Sequence, residues 1–414
     1  MMKHPFQSVA VDSSTSCIFG AFKNHIRVFK VDRKPTSSVP SCTPVGSWDD
    51  EVIPNYQQTT EVKKQEGGDA EAEVKTKKAK KAKKSTTVVP QPTFYIRTLD
   101  IFSDKYLVAT TDNDKSIVIF EIDYSKPNCL VLLKRQPMPK RPCSVSMDSN
   151  LQNVVVADKF GDVYTIPTVG ELLQDEKTMN PILGHVSMLT DVLMTEKNGK
   201  QFILTADRDE HIRVSNYPKS YVVKQWLFGH NEYVSSMHIP NSSPDLLVSG
   251  GGDDFICLWN WYEGKFIDKV DLREHLNPFF KDFHNAPERF LTESSVPEIS
   301  VSKILSLLDG YIIVLVENVN SLLVLKIENK SKIVFKQALT LHNPLVDISV
   351  YNDSSIVGSN DADEGDLVSI FELDNGILKP TDISLAGIES IEVESRKEVS
   401  SLWYVNSLRK RSEH

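Results

Sequence analysis

Two histidines each follow a glycine, as Gly184-His185 and Gly229-His230, and each leads to an acid-bearing turn before alternating apolar sequence. Histidine and aspartate so placed can do general acid–base work, hold a metal, or hydrogen-bond a turn. One isolated histidine per repeated turn, with Asp114, Asp209 and Asp253 in such turns, favours the last: a buried donor to its own turn. Gly250-Gly251-Gly252-Asp253 is glycine-rich, yet it lacks the G-x-G-x-x-G order and the strand–turn–helix setting that aim backbone N–H groups at a phosphate, so it too reads as a turn. The chain has no G-x-S-x-G elbow, no H-E-x-x-H pair and no Walker lysine. Cys17, Cys42, Cys129, Cys143 and Cys257 are odd in number, form no C-x-x-C pair and have no histidine at metal spacing, which predicts buried thiols. No catalytic, cofactor-binding or metal-ligating residue is assigned.

Charge is the other chemical resource. The net charge of −9 hides an asymmetry, because Lys75-Thr76-Lys77-Lys78-Ala79-Lys80-Lys81-Ala82-Lys83-Lys84 holds seven lysines and no acid, leaving the rest at −16. Such a run admits three readings: a flexible solvated loop, an address for nuclear import, or an arm that neutralises nucleic-acid phosphates in a salt-dependent way. No aromatic residues are interleaved for base stacking, so any RNA contact by the run would be sequence-independent.

The elements that must position these groups are strands. The two Gly-His pairs lie 45 residues apart, and each is followed by a small residue, Asp, then apolar-x-apolar: Thr205-Ala206-Asp207-Arg208-Asp209-Glu210-His211-Ile212-Arg213-Val214-Ser215 and Ser249 to Trp259. Spacing and pattern resemble the WD-repeat, a four-stranded propeller blade. Aligned on the third strand of each blade, the chain shows Phe29, Phe120, Ile166, Ser215, Trp259, Leu325 and Phe371, with successive separations of 91, 46, 49, 44, 66 and 46 residues. Two gaps are long. The first contains a low-complexity, lysine-rich insert at 49–93, predicted to be disordered; the second contains an ordered excursion at 272–300 with Pro278, Pro287 and Pro297. With these and a C-terminal tail at 386–414 set aside, about 44 residues remain per blade, the period of one all-β, seven-bladed WD-repeat propeller over 1–414. The first strand, Phe6 to Val11, reads as an innermost one with nothing before it, so the last blade is expected to close from local strands. The best candidate for a short helix is 169–177.

The longest apolar run, Tyr311 to Val316, is six residues against the roughly 20 a membrane-spanning helix requires. The N-terminus enters strand-like sequence without an apolar h-region. An intracellular protein is the expectation.

Three stretches go beyond a generic WD-repeat: Ala157-Asp158-Lys159-Phe160-Gly161-Asp162-Val163-Tyr164, Pro181 to Asp191, and Ala206 to Ser215. With Trp226-Leu227-Phe228-Gly229-His230 and Ser407-Leu408-Arg409-Lys410 they closely resemble the WD-repeat non-catalytic subunit of the tRNA (guanine-N7-)-methyltransferase in its fungal form. The likeness spans most of the ring, strongest in the third to fifth blades and weakest in the last two. It implies a scaffold without catalytic activity or cofactor of its own, bound as a heterodimer to a catalytic subunit that carries S-adenosylmethionine and methylates guanosine N7 in the tRNA variable loop. It further implies a nuclear protein, also cytoplasmic, whose partner-binding residues are Asp209, Glu210 and Arg213. Arg213 alternates with Ile212 and Val214 and can offer a five-donor fork to a partner carboxylate, or else pair with an acid of a neighbouring blade. Lys134, Arg135, Lys140, Arg141 and Lys159 are candidate tRNA contacts, against a default of dispersed surface charge.

A generic WD-repeat adaptor in ribosome assembly or chromatin is the alternative. A propeller hydrolase would need acids or histidines clustered at the central channel, and the sequence suggests no such cluster.

Overall fold

Runs such as Val154-Val155-Val156-Ala157 send successive side chains to opposite faces of a sheet, and both faces here are apolar, so each strand needs a neighbour on either side. A computed structural model of the chain, describing residues 2–32, 42–50, 96–112, 114–170, 175–293, 295–383, 385–399 and 401–411, shows how that need is met. Seven antiparallel four-stranded sheets follow in chain order and stand as blades around one axis, each built from four consecutive strands.

Blade one comprises Ser8–Asp12, Cys17–Phe22, His25–Val31 and Cys42–Asp49. Blade two comprises Ile96–Phe102, Tyr106–Thr111, Ser116–Ile122 and Leu130–Pro137. Blade three has Pro142–Met147, Asn153–Asp158, Asp162–Pro167 and a two-residue outer strand, Leu183–Gly184. Blade four has Leu189–Lys197, Lys200–Asp207, Ile212–Tyr217 and Val223–Leu227. Blade five has Val234–His238, Leu246–Gly251, Phe255–Asn260 and Lys265–Asp271. Blade six has Val301–Ser306, Tyr311–Val316, Ser321–Glu328 and Lys332–Thr340, and blade seven Leu345–Asn352, Ser355–Asn360, Val368–Asp374 and Ile377–Pro380. All seven residues aligned by sequence lie on third strands, and in five blades the register shifts there, beginning at Phe29, Phe120, Ser215, Trp259 and Leu325.

The core is distributed between blades. Val154 and Val156 pack with Val108 and Ile119 of blade two, whereas Val155 and Ala157 pack with Val192 and Ile203 of blade four. Each such buried aliphatic side chain is worth roughly 1.5–3 kcal/mol relative to exposure. The same arrangement joins blade seven to blade one, where Val357 and Ile370 meet Val9, Ile18 and Phe29.

Ring closure uses polar groups as well. Asp347 of blade seven accepts hydrogen bonds from Ser8 Oγ (2.8 Å) and the Val9 N–H (2.9 Å) of blade one. The last blade is completed locally, as the sequence suggests. A two-residue strand, Met2–Lys3, does precede the first innermost strand; it pairs with Glu392–Val393, outside any blade. Leu385 and Ile388 join the core between blades seven and one.

The expected insert at 49–93 starts too early. Asp49 ends the outer strand of blade one, and Asp50 is buried because it receives a bidentate Arg135. The lysine run lies outside the described residues. Between Asp271 and Val301 the chain forms a short α-helix, Arg273–Leu276, and three 3-10 turns. The helix expected at 169–177 is reduced, among the described residues, to a 3-10 turn at Glu176–Thr178, where the Asp175 carboxylate caps the Lys177 N–H.

Candidate functional site

The face carrying the turns between second and third strands holds most of the groups singled out in the sequence. In blade five a buried chain of hydrogen bonds runs Asp253 Oδ2 to His230 Nδ1 (2.7 Å), His230 Nε2 to Ser249 Oγ (2.8 Å), and Trp259 Nε1 to the same Ser249 Oγ (2.8 Å). Every polar atom in it has its partner inside the blade, so His230 is a strut. Gly229 is required beside it, since a Cβ there, at φ 156°, would approach Trp259 to 2.9 Å. Gly251 is required for a different reason: a Cβ would overlap the Tyr233 carbonyl, which accounts for the glycine run as a tight blade turn.

Blade four repeats this chain with one change. His185 Nδ1 binds Asp207 Oδ2 (2.9 Å) and His185 Nε2 binds Thr205 Oγ1 (2.8 Å). The acid of this turn is therefore Asp207, two residues before Asp209, and its other oxygen accepts the N–H groups of Asp209 and His211. Asp209 is released from that structural duty. It accepts from Ser187 Oγ (2.6 Å) and Lys410 Nζ (2.5 Å); although burial pushes the other way, these bonds hold its carboxyl below the ordinary range. Glu210 stands exposed at φ 74°, a left-handed conformation costing about 1–2 kcal/mol in an L-residue.

Arg213 is not on the surface. It is 7 % exposed, and its fork is spent within the chain: Nε to Ser215 Oγ (2.8 Å), Nη1 to the Gly184 carbonyl (3.0 Å) and Nη2 to the Ser220 carbonyl (3.0 Å). No carboxylate among the described residues pairs with it, so the alternative of an acid on a neighbouring blade does not hold either. Burial lowers its pKa. Three of five donors are used, and Ser215 takes one of them where Trp259 stands in blade five.

Above this cation lies a patch that sequence reasoning missed. Trp226 is the cross-strand neighbour of Arg213, its ring centre 5.8 Å from the guanidinium carbon, and it stacks on Phe228 at 6.4 Å, with His211 edge-on to both. Phe228 is 66 % exposed. The signal was present: an outer strand facing water should be polar, and Trp226-Leu227-Phe228 is not.

The five basic candidates separate. Lys134 is buried with Nζ on the Pro167 carbonyl (2.6 Å), burial lowering its pKa, and Arg135 joins Asp50 to Asp114 across blades one and two. Neither is placed to meet a phosphate; both are internal ties, which sequence could not reveal because their partners are remote in the chain. Lys140, Arg141 and Lys159 do come together. Lys140 lies over the exposed Phe160 ring at 4.4 Å, and the Lys159 N–H donates to the Arg141 carbonyl. Burial, then the nearby Arg97 and Arg141 charges, lower the Lys159 pKa, as expected of cations gathered on one edge.

The central channel also departs from expectation. Asp100, Asp191, His238, Lys303 and Asp347, from innermost strands of five blades, line one cavity of about 300 Å³. Their sequence separation hid the cluster. Asp191 receives Ser144 Oγ and the Val192 and Met237 N–H groups, and Asp347 binds Lys303 Nζ at 2.7 Å, so these two tie neighbouring blades. Burial pushes Asp100 and Asp191 up to about 6 and His238 down to about 4.

The sequence matches the family described as the tRNA methyltransferase TRM82 WD40 domain over residues 18–181 and 174–370. The chain is 44 % identical to the tRNA (guanine-N(7)-)-methyltransferase non-catalytic subunit TRM82 of Debaryomyces hansenii and 42 % identical to that of Meyerozyma guilliermondii, in both cases over 100 % of each chain. Among solved structures, the C-terminal WD40 domain of Sif2 superposes with a TM-score of 0.56 at 11 % identity, covering 89 % of this chain and 96 % of that one, a likeness of fold alone. The propeller architecture, the Gly-His/Asp turns and these full-length relatives together place the chain in the TRM82 family of WD-repeat proteins.

Proposed function

We propose that this chain is the non-catalytic subunit of a tRNA (guanine-N7-)-methyltransferase, a propeller that docks the catalytic subunit on blade four and supports N7-methylguanosine formation in the tRNA variable loop. One observation carries the docking site: a buried guanidinium without a counter-charge among the described residues, Arg213, roofed by exposed Trp226 and Phe228 and flanked by Asp209 and Glu210. A buried cation in this state is costly, and a carboxylate delivered by a partner would relieve it through the two N–H donors still unused. An aromatic and arginine centre with an acidic rim is also the composition of an interface hot spot. The names of the full-length relatives support the non-catalytic role.

S-adenosylmethionine sits on the catalytic partner in this reading, with no cofactor on this chain. Lys140, Arg141 and Lys159, with Phe160, form a positive edge for tRNA phosphates. The complex acts in the nucleus, with a cytoplasmic pool.

The test is methyl transfer from labelled S-adenosylmethionine to bulk tRNA by this chain, by the catalytic subunit, and by both together. Activity confined to the mixture supports the reading. Undiminished activity of the catalytic subunit alone would return the chain to a generic adaptor role.

A further inference from the structure

Beyond the last blade the chain does not leave the ring; it crosses the turn face from blade seven to blade four. Arg396 pairs with Asp361 and Asp363 of the blade-seven turn. Glu317, 7 % exposed at the end of the second strand of blade six, then accepts three successive backbone N–H groups, from Tyr404 (2.5 Å), Val405 (2.7 Å) and Asn406 (2.8 Å). Leu402 and Val405 are buried, and the stretch between them caps the channel cavity. At blade five, Arg409 donates to the Gly252 and Ile299 carbonyls (2.6 and 2.8 Å) and pairs with Glu232 (2.9 Å), while Arg411 pairs with Glu298 (2.6 Å). At blade four donation runs both ways: Arg208 Nε donates to the Leu408 carbonyl (2.6 Å), and Lys410 Nζ donates to Asp209.

A basic strap thus lies on an acidic face, and its final residues meet those flanking the docking site. Two outcomes are conceivable for a partner arriving there: displacing the strap, or binding it. Displacement would strip Glu317, Glu232 and Glu298 of their donors and lift Leu402 and Val405 from the core, each an unfavourable step. Lys410 is 54 % exposed and, among the described residues, pairs with Asp209 alone, so it has donors left to give.

We propose that residues 402–411 are a built wall of the partner-docking surface: they hold Arg208 and Asp209 in place from outside and add Lys410 to what the catalytic subunit touches. This rests on the subunit reading above. Glu317 is then a positioning residue, remote from the partner.

Affinity of the full chain for the catalytic subunit is compared with that of Glu317→Gln, Lys410→Gln, and a chain ending at residue 401. Thermal melting reports the ring, and limited trypsin digestion at Arg409 and Lys410 reports the strap. The expected result for Glu317→Gln and the shortened chain is a cooperative melt, faster cleavage of the strap in Glu317→Gln, and a Kd raised at least about tenfold; Lys410→Gln raises Kd by a smaller factor with the strap still protected. Unchanged Kd in Glu317→Gln despite a cleavable strap would overturn the proposal, and so would unchanged Kd in all three variants. Failure of the full chain to bind at all would instead overturn the subunit reading on which it depends.

Discussion

Arg213 and Trp226 face each other across the third and fourth strands of blade four, the cation inside and the ring outside. No acid among the described residues pairs with this desolvated charge, an arrangement expected to weaken an isolated propeller and to strengthen a complex that supplies the acid. Replacing the buried guanidinium by an apolar chain of similar length should therefore separate the two effects. In Arg213→Met the free chain is expected to stay within about 1–2 kcal/mol of wild-type stability, the lost donors to Gly184 and Ser220 being offset by the removed charge. Affinity for the catalytic subunit should fall by about 2–5 kcal/mol. Urea unfolding and calorimetric titration measure the two; equal affinity would return Arg213 to a purely internal role.

The blade-four turn gives a paired prediction. Asp207 binds His185 and two backbone N–H groups, whereas Asp209 binds Ser187 and Lys410 at the surface. Asp207→Ala leaves buried donors without acceptors and should cost about 1–3 kcal/mol or more in urea unfolding. Asp209→Ala should cost under about 1 kcal/mol and act on partner affinity. Reversed magnitudes would mean that the turn acid is Asp209 after all.

Arg135 and Arg141 separate structural from phosphate-facing charge. Arg135→Gln removes the cation that Asp50 and Asp114 share, and a loss of about 1.5–3 kcal/mol of stability is expected, with the salt dependence of tRNA binding by the complex unchanged. Joint substitution of Lys140, Arg141 and Lys159 by Gln should leave melting nearly intact and flatten the slope of log K against log salt by up to about one unit for each phosphate no longer neutralised. A full-slope titration in the triple variant would remove that edge from the tRNA path.

Channel groups predict an unusual pH profile. His238, held down at about 4, takes up its proton in the unfolded chain first, so its contribution is complete above 6.5 and is lost as pH falls from 6.5 toward 4. Asp100 and Asp191, pushed up to about 6, bind protons in the folded state first, so stability falls as pH rises from 3.8 toward 6. The two trends oppose each other between pH 4 and about 6. His238→Gln should steepen the decline in stability with rising pH across this range, and Asp191→Asn should flatten it, because Asp100 and His238 then offset each other. Identical slopes for both variants in urea titrations across that range would contradict the assignment.

Much of this protein can be read along the chain because its regularities are local. The third-strand positions from Phe29 to Phe371 carry a period that any blade must keep, and the excursion at 272–300 shows itself as the length by which one gap exceeds that period. Gly229 and His230 are legible for the same reason: a tight turn and a buried imidazole have their partners, Trp259, Asp253 and Ser249, within one blade. The chemistry around blade four was legible as residue types, and the family likeness as motifs.

What the chain alone could not assign is everything decided between blades. Arg135 reads as a surface cation until Asp50, 85 residues earlier, is folded against it, and the channel acids come from strands a whole blade or more apart. Lys410 meets Asp209 only because the segment after the last blade returns across the ring. Strand, turn and blade follow from a side chain's near neighbours, so composition and spacing determine them. Whether a charge is a surface contact, an inter-blade tie or an unpaired cation depends on which distant groups share its low-dielectric surroundings, and closure of the ring settles that.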